Sequence, residues 1–432
     1  MPLIFKPERS GKENWLPLDN AAKIFPSGTN QTRTLVFRAT AEINRPVRYE
    51  TLKKASQLTS RRYPYFTMHL RPGFFWYWLE MEADKVPVYP DTGEIGKVFR
   101  FSWSQEPLCR ILARNNRISA EFYHALTDGS GALEFFKTLL ATYAELEGID
   151  IKPGGFNHYQ SAPKPGETED AYNRYFNPRL PAPRQLSKAY HLPFAYTKKQ
   201  PARILSAEMD PALVKDKSKQ RGITITEYLV SVYLWAVEDI YNKVRTIRNL
   251  RRRPIIRIQV PVNLRSLFPS NTLRNFALFV TPDMDMRLGF YSFEEITRIV
   301  HHYMQQQTDP KLMQKIIYRN VRNEKSLFIR LIPLPLKDRL LGYFFRRSGM
   351  ELYSGLITNL GKVEFTGEFG SFIERLRFYP PPPDISKVSI AMITYNQKMV
   401  LTFSNSTVSR QLEKTFLQFL RDDGIPVKLL NP

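Results

Sequence analysis

The chain has 432 residues, 43% of them hydrophobic and 13% aromatic, and carries 63 Lys plus Arg against 41 Asp plus Glu. Such a composition builds packed cores rather than a disordered chain, and the length suits two large domains. The formal charge of +22 favours anionic partners: a phosphate-bearing cofactor, an acidic protein, a membrane face or nucleic acid. The single Cys109 excludes an internal disulfide framework and any cysteine-cluster metal site. The N-terminal "MPLIFKPERSGKENW" has no apolar core of signal-peptide length. No uninterrupted apolar run approaches the ~18 residues of a membrane span. The most apolar tract, "LFIRLIPLPLKDRLLGYFF" (327–345), is broken by Arg330, two prolines and "KDR". A cytoplasmic protein is expected.

In chain order, "RTLVFRATAEI" (33–43) reads as a strand and "YETLKKASQLTSRRYP" (49–64) as a helix stopped by Pro64. Strands follow at 74–81, 108–115 and 117–124, the last two joined by a short "NN" turn. A helix over 131–148 places Leu133, Phe136, Leu140 and Tyr143 on one buried stripe. From 151 to about 196 the pattern dissolves into Pro, Gly, Asn and Tyr, the best candidate for an interdomain crossover. A second block opens with strand 203–210 and a helix from Pro211. Thr224 and Glu227 then form a capping box ahead of a long apolar helix, 224–241. Strands are expected at 254–265 and 276–283, helices over 292–345, strands at 352–365, 387–396 and 398–406, and a closing helix at 409–423. Two blocks of mixed strands and helices imply two α/β layers. The expected division is an N-terminal domain over 1–175, a crossover over 176–200 and a C-terminal domain over 201–432.

One stretch carries chemistry: "FYHALTDGSG" (122–131). Alternation puts Ile118, Ala120, Phe122 and His124 on one face of its strand, and Arg117, Ser119, Glu121 and Tyr123 on the other. His124 thus ends an apolar row and points inward where the chain turns. Asp128 and Ser130 are helix-capping residue types, and Gly129 and Gly131 permit backbone angles that other residues resist. A neutral imidazole, with an unperturbed pKa of ~6.5, suits a base acting on a hydroxyl or amine near pH 7. On pattern alone the stretch fits a core histidine beside an N-cap equally well.

"YHALTDGSGALEFF" (123–136) resembles the HxxxDG signature of the chloramphenicol acetyltransferase-like superfamily. That group includes condensation domains of peptide synthetases, plant acyltransferases, wax ester synthases and alcohol acetyltransferases. Many members carry two adjacent histidines, the second being catalytic; here Tyr123 takes the first place and His124 the second. "VPVNLRSLFPSNTLRNF" (260–276) resembles the family segment whose arginine pairs with the motif aspartate, which implies an Arg265–Asp128 pair. "LITNLGKVEF" (356–365) resembles the "SNLG" strand of the alcohol acetyltransferase branch, with Thr358 in place of serine. "AAKIFPSG" and "TLKKASQLTSRRYPYF" resemble that branch's opening strand, helix and "RYP" segment. The likeness is greatest to bacterial alcohol acetyltransferase-like proteins and covers most of the chain. The "DFGWG" motif of the plant branch is absent.

The resemblance implies two acetyltransferase-like domains, each a mixed sheet flanked by helices, forming a pseudo-dimer with a tunnel between them. It also implies direct acyl transfer from acyl-CoA, or from a phosphopantetheinyl carrier, to a hydroxyl or amine acceptor. His124 would be the general base, with Asp128 and Gly129 shaping its loop and the Asp128–Arg265 pair structural. Thr358 and Asn359 would offer a hydroxyl or amide to the developing oxyanion. No bound cofactor is expected, and a monomer is the default. A catalytically silent scaffold of the same fold is the contrasting reading.

The remaining features point elsewhere. His301 and His302 diverge around their helix and make no metal pair, and no metal is expected. No Gly-rich phosphate loop or G-x-S-x-G elbow is present. The basic stretches "KVRTIRNLRRRP" (243–254) and "FFRRSG" (344–349) suit a solvated loop, the phosphates of coenzyme A, an acidic carrier protein or an anionic membrane surface. Nucleic acid is the least favoured partner, because no recognition fold is legible. The amphipathic tract 327–345 fits a core, an interface or an acceptor channel.

Overall fold

A computed structural model describes residues 15–99, 106–152, 154–181, 183, 185–197, 202–244 and 253–431. In the first half come β1 (Trp15–Pro17), α1 (Phe25–Gly28), β2 (Val36–Ile43), α2 (Tyr49–Arg62), β3 (Met68–Pro72), β4 (Tyr77–Met81), β5 (Val88–Pro90), β6 (Cys109–Arg114), β7 (Arg117–Tyr123), α3 (Gly129–Leu146) and α4 (Ala171–Arg174). The second half adds β8 (Arg203–Met209), α5 (Pro211–Gln220), α6 (Ile225–Lys243), β9 (Ile255–Asn263), β10 (Ala277–Val280) and β11 (Asp283–Asp285). Four helices follow: α7 (Phe293–Gln307), α8 (Pro310–Lys325), α9 (Leu327–Leu331) and α10 (Leu334–Phe344). The chain closes with β12 (Gly355–Val363), α11 (Gly367–Phe372), β13 (Ile373–Tyr379), β14 (Val388–Tyr395), β15 (Lys398–Asn405), α12 (Gln411–Asp422) and β16 (Lys428–Leu430). Of the basic stretch 243–254, residues 245–252 lie outside the described residues.

The strands form two mixed sheets and a small third one. The larger runs β10-β9-β12-β14-β15-β8-β16, with β11 also on β9; β9–β12 and β12–β14 are parallel and the other pairings antiparallel. The second runs β13-β2-β7-β6-β5. β1, β4 and β3 make the three-stranded third. Local signals explain many boundaries. Thr224 and Glu227 form the expected capping box on α6. Asn115 takes φ +53° in the β6–β7 turn, a conformation that Asn tolerates.

β13 was not legible in the sequence. It comes from the C-terminal half yet pairs antiparallel with β2, Leu376 facing Ala41 and Phe378 facing Ala39. Arg375 then ties the sheets together. It donates to Glu42 on β2 and, from Nε at 2.6 Å, to Glu208 on β8. Leu376 and Phe378 are buried with Phe37, Phe122 and Phe136 in the core beneath α3. A strand of one chain half therefore completes the sheet of the other.

The second face of β7 is covered as well as the first. Ser119, Glu121 and Tyr123 are buried like Ile118, Ala120 and Phe122, because both faces of this central strand are covered. The polar side chains are matched rather than exposed. Ser119 Oγ meets Thr40 Oγ1 at 2.8 Å, and Glu121 accepts from Arg38 Nε at 2.9 Å, Arg110 Nε at 2.8 Å and the Gly96 N–H at 2.8 Å. Removing one member of a buried ion cluster strands its partners without solvent. Glu121→Ala is therefore expected to lower unfolding free energy by about 3–5 kcal/mol in a denaturant titration, and Glu121→Gln by less. An unchanged midpoint would mean that Arg38 and Arg110 find other partners.

Candidate active site

The apolar alternation of β7 delivers His124 to the first position past the strand, where its N–H still donates to Leu35 O at 2.9 Å. The half-buried imidazole lies against two rings, Phe25 of α1 at 4.9 Å and Phe37 of β2 at 5.2 Å between centroids. Burial lowers its pKa below the ordinary histidine value, and the Asn275 contact opposes that shift. The ring is therefore neutral at pH 7.

Asn275 is the partner that sequence reasoning missed. Its Oδ1 lies 3.2 Å from His124 Nδ1, while its Nδ2 donates to His124 O at 3.0 Å and to Asp19 Oδ2 at 3.2 Å. Both contacts of Nδ2 are acceptors, so the amide orientation is settled by its neighbours. Oδ1 must then accept from a protonated Nδ1, which leaves the lone pair on Nε2. Among the described residues Nε2 has no hydrogen-bond partner. Asp19, fully buried, also accepts from the Asn275 and Ala22 N–H groups. Burial pushes its carboxyl up to about 6, with the Arg274 guanidinium opposing the rise. Asn275 lies one residue inside the end of the stretch 260–276, but no local spacing marks an asparagine whose partners lie 151 and 256 residues away.

Asp128 caps α3, its Oδ1 accepting from the Gly131 N–H at 3.0 Å. Its Oδ2 accepts from Arg265 Nη1 and from the Phe276 N–H, each at 2.8 Å. Arg265 spends its other donors on Thr272 O, Arg274 O and Asn263 Oδ1. All five Arg265 N–H donors are thereby committed, and the joint work of the pair is to hold the loop. Thr127 Oγ1 adds a 2.6 Å hydrogen bond to Leu273 O. The loop 124–131 is thus sewn to residues 263–276 of the other half.

The two glycines serve a different purpose from the one expected. Neither Gly129 nor Gly131 has positive φ. What they provide is room: a Cβ on Gly131 would sit 2.1 Å from Leu273 O, and one on Gly129 2.7 Å from Leu360 Cδ1. The second contact brings β12 to the site. β12 pairs with β9 only at Gly355 and Leu356, so beyond that point β14 alone holds it. Leu360 lies against the α3 N-terminus. Thr358 is half-buried on this segment, whereas the exposed Asn359 commits its amide to Thr226 Oγ1 at 2.9 Å and to the Gly361 N–H at 2.8 Å. Asp128 and Arg265 are therefore directly paired, His124 is joined to the same 263–276 segment through Asn275, Gly129 packs against Leu360, and the Asn359 amide is engaged elsewhere.

No family model matches this chain, and neither does any curated protein. Solved structures do match, along nearly the whole length. The polyketide synthase associated protein 5 from Mycobacterium tuberculosis is 12% identical, with a TM-score of 0.59 over 94% of this chain and 96% of that one. Trichothecene 15-O-acetyltransferase from Fusarium sporotrichioides is 10% identical, with a TM-score of 0.61 over 96% of each chain. The epimerization domain from the third module of tyrocidine synthetase B is 10% identical, with a TM-score of 0.60 over 96% of this chain and 98% of that one. At such identities the likeness speaks for the fold. Mixed sheets flanked by helices, joined through a shared strand and a sewn loop, give this chain a fold similar to that of these acetyltransferase and peptide-synthetase-domain structures.

Proposed function

We propose that the protein is an acyltransferase carrying an acyl group, acetyl in the simplest case, from a CoA thioester to a hydroxyl or amine. One observation carries this reading: a neutral imidazole whose Nδ1 is anchored by Asn275, leaving an unbonded Nε2 between the two halves. In the proposed reaction Nε2 takes the proton of the acceptor as its oxygen or nitrogen attacks the thioester carbonyl carbon. The C–S bond then breaks, and the leaving sulfur receives the proton from Nε2–H. No covalent enzyme intermediate is required. Thr358 is the candidate donor to the oxyanion, since Asn359 is engaged elsewhere. Asp128 and Arg265 hold the loop and pass no proton.

Free acyl-CoA as donor is supported by the fold likeness to a Fusarium graminearum structure complexed with coenzyme A and T-2 mycotoxin, 10% identical with a TM-score of 0.58. The likeness to peptide synthetase domains supports a second donor, an acyl group on a phosphopantetheinyl carrier protein. Charged carrier protein in place of acyl-CoA separates the two. The domain division at 175 and 200 and a monomeric state belong to the same reading.

Thiol release from acetyl-CoA, with a panel of alcohols and amines, tests the reaction. His124→Ala is expected to lower the rate by about 10²–10⁴-fold. Equal release by wild type and variant would leave a non-catalytic scaffold.

The Nδ1 anchor makes a separate prediction. Asn275 touches the imidazole rather than the acyl group or acceptor, so Asn275→Ala is expected to lower kcat by about 10–100-fold with KM little changed. Removing the acceptor of Nδ1–H also removes support for the charged ring. The acid limb of kcat/KM, expected below the ordinary ~6.5 in the wild type, should then move to still lower pH. A merely structural Asn275 would reduce rate and stability without moving that limb. The sign for stability follows from the same depressed pKa. As pH falls through ~6.5 the unfolded chain binds its proton first, so the His124 contribution to stability is lost on acidification.

A further inference from the structure

A second surface stands apart from the His124 loop. α9 and α10 turn outward side chains that helices of a globular protein ordinarily bury. Leu327 is 73% exposed, Phe328 80% and Leu331 68%, and Phe74, in the β3–β4 turn, is 72% exposed. The turn is fastened to the helices. The Leu334 N–H donates to Phe74 O at 2.8 Å, and Lys337 Nζ donates to Phe75 O at 2.7 Å while lying 3.7 Å over the Trp76 ring. An apolar patch held out by main-chain hydrogen bonds marks an interaction site rather than a frayed end.

The exposed charges of the α9–α10 segment have one sign. The exposed ionic residues between 326 and 347 are Arg330, Arg339, Arg346 and Arg347. The sole acid of that stretch, Asp338, is turned inward to Ser27 Oγ at 2.6 Å and Tyr77 Oη at 2.8 Å. An acidic protein would answer the arginines but leave Phe328 and Leu331 unexplained. A second copy would bring its own arginines against these. An anionic bilayer answers both features, with apolar side chains entering the acyl boundary and cations meeting phosphates.

We propose that this face docks on an anionic lipid bilayer, with Phe74, Phe328 and Leu331 inserted and the four arginines on lipid phosphates. The inference stands whether or not the acyltransfer reading holds. It also has a geometric bearing on the site. α10 packs on α1, where a Cβ at Gly342 would lie 2.9 Å from Ser27 O, and α1 places Phe25 against His124. α10 and the short α1 would stand between a docked bilayer and the imidazole.

Flotation of the full chain with vesicles tests this. One set is phosphatidylcholine alone; the other contains about 30% phosphatidylglycerol, at ~0.1 M salt. Binding to the anionic set is expected, about tenfold or more above the neutral set. Phe328→Ser with Leu331→Ser should abolish it, as should Arg339→Glu with Arg346→Glu. Lys215→Glu with Lys219→Glu, a matched charge change on α5, should leave it intact. All these positions are exposed, so circular dichroism and Tm should match wild type. The proposal is overturned by absence of binding to anionic vesicles, by binding that survives the Phe328 and Leu331 changes, or by equal loss in the α5 variant. Self-association that those two changes abolish, seen by light scattering without lipid, would equally overturn it in favour of a second copy.

Discussion

The carboxylate of Asp128 is held by three donors from three places: the Gly131 N–H in its own helix, Arg265 at the end of β9, and the Phe276 N–H before β10. All else at the site depends on this clasp. A buried ion pair contributes little net stability, because desolvation cancels most of the attraction. Breaking one is another matter, since the surviving partner stays buried and unmatched. The clasp therefore works as a constraint on geometry: it admits one position of the loop 124–131 against residues 263–276 and penalises the rest.

That position decides the chemistry of His124. Its ring packs on Phe25 and Phe37 from the N-terminal half and is hydrogen-bonded by Asn275 from the C-terminal half. Without the second contact Nδ1–H would lose its acceptor, and either nitrogen could hold the proton. The tautomer that leaves Nε2 available is thus a property of the interface, not of the loop alone. Asp19 extends the chain by one step, orienting the amide that orients the ring. Its raised pKa shows that this placement is bought against desolvation.

Much of this was legible in the sequence wherever the signal was local. Alternation over 117–124 put His124 at a strand end; Thr224 and Glu227 announced α6; the resemblance at 123–136 and 260–276 named the two members of the clasp. What escaped was long-range. β13 reads as an unremarkable "IERLRFY", and nothing within seven residues says that its partner is β2, more than 330 positions earlier. Asn275 was passed over for the same reason. Glu121 is a different case: alternation puts it opposite the apolar row, where an acid ordinarily marks the solvent side. Burial of both faces reversed that rule, and Arg38, Arg110 and the Gly96 N–H make it tolerable. Gly129 and Gly131 show that a glycine chosen for space cannot be told by sequence from one chosen for its backbone angles.

β13 and the loop 124–131 cross between the halves in opposite senses. The strand carries C-terminal residues into the N-terminal sheet; the loop carries N-terminal residues onto the end of β9 and the stretch before β10. Two such crossings resist relative rotation far better than one, since a hinge about either displaces the other. Arg375 adds a third tie, reaching Glu42 on one sheet and Glu208 on the other. A base assembled from both halves needs that rigidity. A shift of about 0.5 Å would stretch the 3.2 Å contact between Asn275 and Nδ1 beyond hydrogen-bond length. The architecture and the protonation state of the imidazole are in this sense one constraint, expressed first in strand pairing and then in the placement of a single proton.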